Sequence, residues 1–211
     1  MCTRVLLQVD TTVDKKLAEQ FKVNSYPTLK FRVSGAEEWK EYNGGRKGPD
    51  LLAFAERMAG APLPELNNEA DLKATVNRSS VAGSGVAFVF GGGDGDNFLG
   101  AGGVAETAAK AVQHKSYCGA VNSGNGLPWN GAANALPSTG SAYVAAVEQG
   151  EAPRFCPETA TSDGKTLEKW IEAFDAPLLS QLGPMNFRHL GRLGKVRLSI
   201  SSFSYRKSPY F

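Results

Sequence analysis

The sequence predicts an α/β protein built from two successive units. Three observations carry that reading. Residues 1–60 order as β-α-β-β-α; the Pro-punctuated stretch "GAPLPEL" at 60–66 has the composition of a linker; and the wholly apolar run "VAFVF", Val86 to Phe90, opens a second β-α-β series. At 211 residues the chain has room for two small domains, since domains cluster near roughly 100–150 residues.

Val5 to Val9 is a short apolar run ended by Asp10 and is expected as a strand. Thr11 and Asp14 stand at capping-box spacing before "KKLAEQF", where Val13, Leu17 and Phe21 recur every fourth residue on one helical face. After Tyr26-Pro27, the residues Leu29, Phe31 and Val33 alternate with Lys30 and Arg32, which predicts a half-buried strand stopping at Gly35. "EWKEY" follows across a Gly-containing turn as the second strand of a hairpin. Pro49 then opens a helix with Leu51, Phe54, Ala55 and Met58 on one face and Gly60 just past its end.

This order, with the words "VDTTVDKKLAEQFKVNSYPTLKF" and "YNGGR", resembles the C-terminal part of a catalytic thioredoxin domain of the protein disulfide isomerase family. The resemblance covers most of Arg4 to Gly60 and implies a thioredoxin-like fold. It implies a substrate-binding role for Tyr26, Pro27 and Thr28, with Pro27 as the family's cis-proline; from the residues alone, a trans proline opening a strand is the other reading. Arg46 matches an arginine that tunes the family's active-site cysteines, although without those cysteines it reads as a solvated turn residue.

The family's Cys-Gly-His-Cys, carried at a helix N-terminus, has no counterpart in this sequence. Exchange requires a thiolate, and the helix dipole and nearby charges supply it there. The family's first strands and helices are not matched either, which would leave an empty slot between the strand at Val5 and the strand at Thr28. Such open edges leave backbone groups unsatisfied. The sequence therefore reads as a fragment or alternative product of a longer gene, an expectation that a sharp, cooperative, monomeric melt would contradict.

In the second unit, residues 67–176, "NNEADLKATV" is a capped helix and "VAFVF" a buried strand. Val104, Ala108 and Val112 mark the next helix. "SYCGAV", "SAYVAAVE" and "APRFC" read as strands around a Gly/Asn/Pro-rich stretch from Asn122 to Gly140. Leu167, Trp170, Ile171 and Phe174 form a strongly amphipathic final helix. The order resembles a non-catalytic b-type thioredoxin-like domain of the same family, and "AFAERMAGAPLPEL…FVFGGG" leans toward its membrane-anchored, thioredoxin-related branch. Leu136-Pro137 stands where such domains carry their own proline turn.

That strand order places Cys118 and Cys156 about three strand spacings, roughly 14 Å, apart, so no disulfide between them is expected. Residues 177–211 resemble the opening of a further b-type domain, with Val196, Leu198 and Ile200 alternating, followed by an irregular tail.

Other motifs exclude more than they assign. Cys2, Cys118 and Cys156 have no Cys-x-x-Cys or zinc spacing and read as inert thiols. "GGGDGD" lacks the Lys-Ser/Thr of a P-loop and the spaced acids of an EF-hand, so it reads as a turn. His114 and His189 are expected on helix surfaces, and Asn77-Arg78-Ser79 is a glycosylation sequon relevant only to a secretory protein. No catalytic residue, metal ligand or cofactor is expected. A net charge of +2 gives no electrostatic footprint for nucleic acid or an anionic membrane. No apolar run approaches the roughly 18–20 residues of a membrane span, and "MCTRVLLQVD" is not a signal peptide. Taken literally, the sequence is that of a soluble cytosolic protein, whereas the resemblance implies the endoplasmic reticulum.

Three functions follow as expectations. The first is membership of the disulfide isomerase family, acting on cysteine-containing or unfolded polypeptides, with this chain redox-inactive. The second is a non-catalytic peptide-binding or chaperone module. The third is a glutathione-transferase relative, whose second domain would be all helix.

Overall fold

The computed structural model describes residues 7–33, 37–82, 84–92, 98–121, 142–157 and 163–175. Its elements are α1 (Lys15–Gln20), β1 (Lys30–Phe31), β2 (Lys40–Glu41), α2 (Gly48–Ala59), α3 (Glu69–Val81), β3 (Val86–Gly91), α4 (Val104–Val112), β4 (Tyr117–Val121), β5 (Tyr143–Glu148), β6 (Arg154–Phe155) and α5 (Gly164–Phe174).

The second unit carries the core. Its sheet runs β4-β3-β5-β6, with β3 parallel to β4 and antiparallel to β5. Every residue of β3 and β5 is buried, because helices cover both faces and leave no solvent side. On one face Phe88, Phe90 and Val144 pack under α4 and α5 through Ala105, Ala108, Val112, Leu167 and Ile171. On the other, Val89, Ala145 and Val147 meet Leu72 and Val76 of α3. Trp170 stacks on Phe174, with centroids 4.7 Å apart, and meets Phe88 edge-on at 6.0 Å.

The helix starts follow from local chemistry. Asn68 caps α3 by accepting from the Asp71 N–H at 2.9 Å, and Asp163 caps α5 by accepting from the Thr166 N–H at 3.0 Å. Each such cap is worth about 1 kcal/mol.

This mixed sheet between helices is the thioredoxin-like α/β fold that the sequence predicts, and its strands exclude the all-helical second domain of a glutathione transferase. The expected linker at 61–66 is only partly one. The Leu66 N–H donates to the Ala120 carbonyl at 2.7 Å, and the Ala120 N–H donates to the Pro64 carbonyl at 2.8 Å, so Pro64–Leu66 extends the sheet beyond β4. Leu66 is buried against Gly119, where a Cβ would lie 2.6 Å from its side chain. Proline content signalled a break in the chain, but a sheet edge with free backbone groups recruited the segment.

The first unit is thinner. Of the expected strand Val5–Val9, the described part, Leu7–Val9, joins no ladder, and Leu7 is 75% exposed. A strand is defined by its partner, and an apolar run cannot form one alone. Helix α1 starts a turn later than expected. Its cap is Asp14, which accepts from the Leu17 N–H at 3.1 Å, while Asp10 closes the preceding turn on Thr12; Val13 is left 81% exposed. The hairpin is present but short, with Lys30 opposite Glu41 and Phe31 opposite Lys40. Helix α2 packs the half-buried Phe54 against Phe31 and Tyr42, with centroids 4.9 and 4.7 Å apart.

Residues Asn122 to Gly140, Leu136-Pro137, most of "GGGDGD" and the whole of 177–211, including His189, lie outside the described residues, as does Cys2. The sequon sits within α3, where Ser79 is fully buried and its hydroxyl donates to the Val76 carbonyl at 2.6 Å.

Candidate functional site

The Tyr26–Pro27 peptide bond is cis. The turn around it is held locally: the Thr28 hydroxyl donates to the Ser25 carbonyl at 2.5 Å, and the Thr11 hydroxyl donates to the Tyr26 phenol oxygen at 3.2 Å. The Tyr26 ring is 63% exposed. Arg46 is also exposed, in the turn before α2, where the Tyr42 hydroxyl donates to the Gly45 carbonyl at 2.8 Å. That packing explains "YNGGR": a Cβ on Gly44 would lie 2.5 Å from the Tyr42 phenol oxygen, and one on Gly45 would collide with the Asp50 carboxylate.

Both described cysteines belong to the second unit, on the face covered by α4 and α5. Cys118 lies on β4, and Cys156 follows β6 with its N–H donating to the Val144 carbonyl at 2.7 Å. The strand order sets them at opposite edges of the sheet. Burial pushes the Cys156 thiol up to about 11. The Cys118 thiol stands well above its ordinary range, through burial first and the Asp175 carboxyl second. Neither is poised as a thiolate.

Where the two units meet, the structure assembles a polar cluster that the sequence did not announce. Arg57 leaves α2 and donates from Nη2 to the His114 carbonyl at 3.0 Å, with its guanidinium carbon 4.7 Å from the Tyr117 ring centroid and 5.6 Å from that of Phe54. Gln113 donates from Nε2 to the carbonyls of Arg57 (2.8 Å) and Gly60 (3.0 Å). His114 is therefore not the surface helix residue expected. It follows α4 and lies against Phe31, with centroids 6.1 Å apart, and burial followed by the charges of Lys115 and Lys40 lowers its pKa to about 4.

Asp175 is buried at the C-terminal end of α5, where the helix dipole also disfavours an anion. Burial raises its pKa to about 7 against the opposing pull of the Ser116 hydrogen bond and the Arg57 and Lys115 charges. No sequence pattern marks Arg57 or Asp175, because each acquires its setting from an element distant in sequence. Among the described residues, no three His, Cys, Asp or Glu converge as a metal site, and no helix is long and apolar enough to cross a membrane.

The thioredoxin family profile matches residues 3–57. Protein disulfide-isomerase of Drosophila melanogaster is 40% identical over 77 residues, 36% of this chain and 15% of that protein. The N-terminal part of the chain is thus similar to the thioredoxin family and to protein disulfide-isomerases. The rabbit (Oryctolagus cuniculus) protein disulfide-isomerase is 35% identical over 78 residues, again 36% of this chain and 15% of the relative. The chain thus spans about 15% of the length of these curated relatives. Among solved structures, human ERp44 form I gives a TM-score of 0.45 at 17% identity, covering 88% of this chain and 45% of that one.

Proposed function

We propose that this chain serves the substrate-holding side of protein disulfide-isomerase function and performs no thiol–disulfide exchange itself. Its partners are unfolded or cysteine-containing polypeptides of the endoplasmic reticulum, as the family relationship suggests. The observation that carries the reading is the state of Cys118 and Cys156: both are buried, and both have thiols raised away from the thiolate. At pH 7 a thiol titrating near 11 is ionised in about one molecule in ten thousand, far below what an exchange catalyst needs. Tyr26, Pro27 and Thr28 would then offer backbone and ring to an extended chain, with Arg46 solvated and idle.

Insulin reduction by dithiothreitol should proceed at the uncatalysed rate in the presence of the protein. Acceleration comparable to that given by an intact isomerase would overturn the proposal.

A second reading, a non-catalytic peptide-binding module, is favoured by the cleft between the two units. It requires suppression of aggregation of a client that has no cysteines, and failure of that suppression removes it.

A further inference from the structure

Asn77-Arg78-Ser79 is the one Asn-x-Ser/Thr sequon in the sequence, and the structure sets its two chemical ends on opposite faces of α3. We propose that Asn77 is an N-glycosylation site filled while the chain is still extended and closed to the transferase once α3 has packed. The inference rests on the endoplasmic-reticulum placement proposed above and makes no use of client binding.

Spacing sets the timing. A sequon joins an Asn carboxamide to a hydroxyl two residues on, and a transferase that recognises the triplet must reach both. In an extended chain residues i and i+2 share a face, whereas on an α-helix they stand about 200° apart. Here the separation is complete. Asn77 is exposed, while Ser79 is fully buried with its hydroxyl donating to the Val76 carbonyl at 2.6 Å. Presenting Ser79 requires that turn of α3 to unwind, which would strip Val76 from the core cluster it shares with Val89 and Val147.

The folded protein accommodates the product. Leu72, Thr75, Val76 and Ser79 form the buried face of α3, and Asn77 lies outside it, with no side-chain hydrogen bond among the described residues. A glycan there points to solvent and displaces nothing. Val81, one turn further along the same face and 78% exposed, lies within reach of the first sugar.

The covalent step needs one co-reactant, an oligosaccharide linked through a diphosphate to a membrane lipid. The Asn77 amide nitrogen bonds to the anomeric carbon of the first sugar. The bond from that carbon to the diphosphate oxygen breaks, its electron pair leaves with the lipid diphosphate, and one amide proton passes to a base of the transferase. Nothing is oxidised or reduced.

The full chain, placed behind a cleavable signal sequence, is translated with endoplasmic-reticulum microsomes. The protease-protected product should run one glycan heavier and return to its unmodified mobility with endoglycosidase H. Asn77→Gln, a change at an exposed position that leaves Ser79 in place, should abolish the shift. In a second arm, the purified folded chain and a peptide of residues 70–82 are given separately to solubilised transferase with the lipid-linked donor. The peptide should be modified and the folded chain should not. A protected but unshifted product overturns the site, and a folded chain modified as fast as the peptide overturns the timing. Both outcomes leave the endoplasmic-reticulum placement standing, because the signal sequence supplies entry. That placement falls, and the modification in the cell with it, if the protein expressed from its own gene stays in the cytosol while the microsomal product is glycosylated.

Discussion

Replacing Asp175 with Asn should stabilise the protein at pH 8 by a few kcal/mol and change the shape of its pH profile. The folded carboxyl titrates near 7 against an ordinary 3.8, so the folded state holds a proton that the unfolded state releases. Stability associated with the neutral acid is fully present below about 3.8 and is lost as pH rises to about 7, a total on the order of 4 kcal/mol. His114 works in the opposite sense. Its folded value near 4, against 6.5 unfolded, means that stability is lost as pH falls from 6.5 toward 4.

Between about pH 4 and 6.5 the folded state carries the proton on Asp175, and the unfolded state carries it on His114. The two slopes therefore cancel. In Asp175→Asn only the histidine slope remains, so stability should rise with pH across that window, whereas the unmutated protein stays nearly level with respect to this pair. Urea melts at pH 4.5, 6.5 and 8 check the difference between the two proteins. Equal stability at pH 8, or profiles of the same shape, would show that Asp175 is not held as a buried acid.

The second large effect concerns Gly119 and Leu66. Gly119→Ala places a methyl group 2.6 Å from the Leu66 side chain, which is buried and whose backbone pairs with Ala120. Relief requires Leu66 to move, and moving it breaks the pairing that attaches Pro64–Leu66 to β4. Overpacking of this kind costs about 1–3 kcal/mol. Leu66→Ala alone should cost about 2–4 kcal/mol through the cavity it leaves. The combined variant should be less destabilised than the sum, because the smaller residue 66 makes room for the added methyl. Strict additivity in a double-mutant cycle would mean that the two side chains do not share that space.

The contrast between these residues and the legible ones is physical. β3 and β5 were readable because an unbroken apolar run can be buried only on both faces, and α5 because Leu167 and Ile171 recur at helical spacing. The start of α3 was readable because an Asn side chain before an apolar-periodic segment caps whatever helix follows. The start of α1 was not, since Thr11 and Asp14 both suit a cap and only the turn closed by Asp10 selects the second. The Tyr26 turn was visible through the words around it. Arg57 and Asp175 carry no such words.

By itself, then, the sequence determined the α/β class, the order of elements from α1 onward, the likeness of the N-terminal part to thioredoxin domains and the lack of any Cys-x-x-Cys, because periodicity, caps and spacing are properties of neighbouring residues. Only the tertiary structure decided that Pro64–Leu66 joins the sheet, that His114 is shielded by the first unit, and that Arg57 and Asp175 meet one electrostatic environment from opposite ends of the chain. Burial and hydrogen-bond satisfaction depend on which surfaces come together, and a pair separated by more than a hundred residues leaves no local trace of that choice.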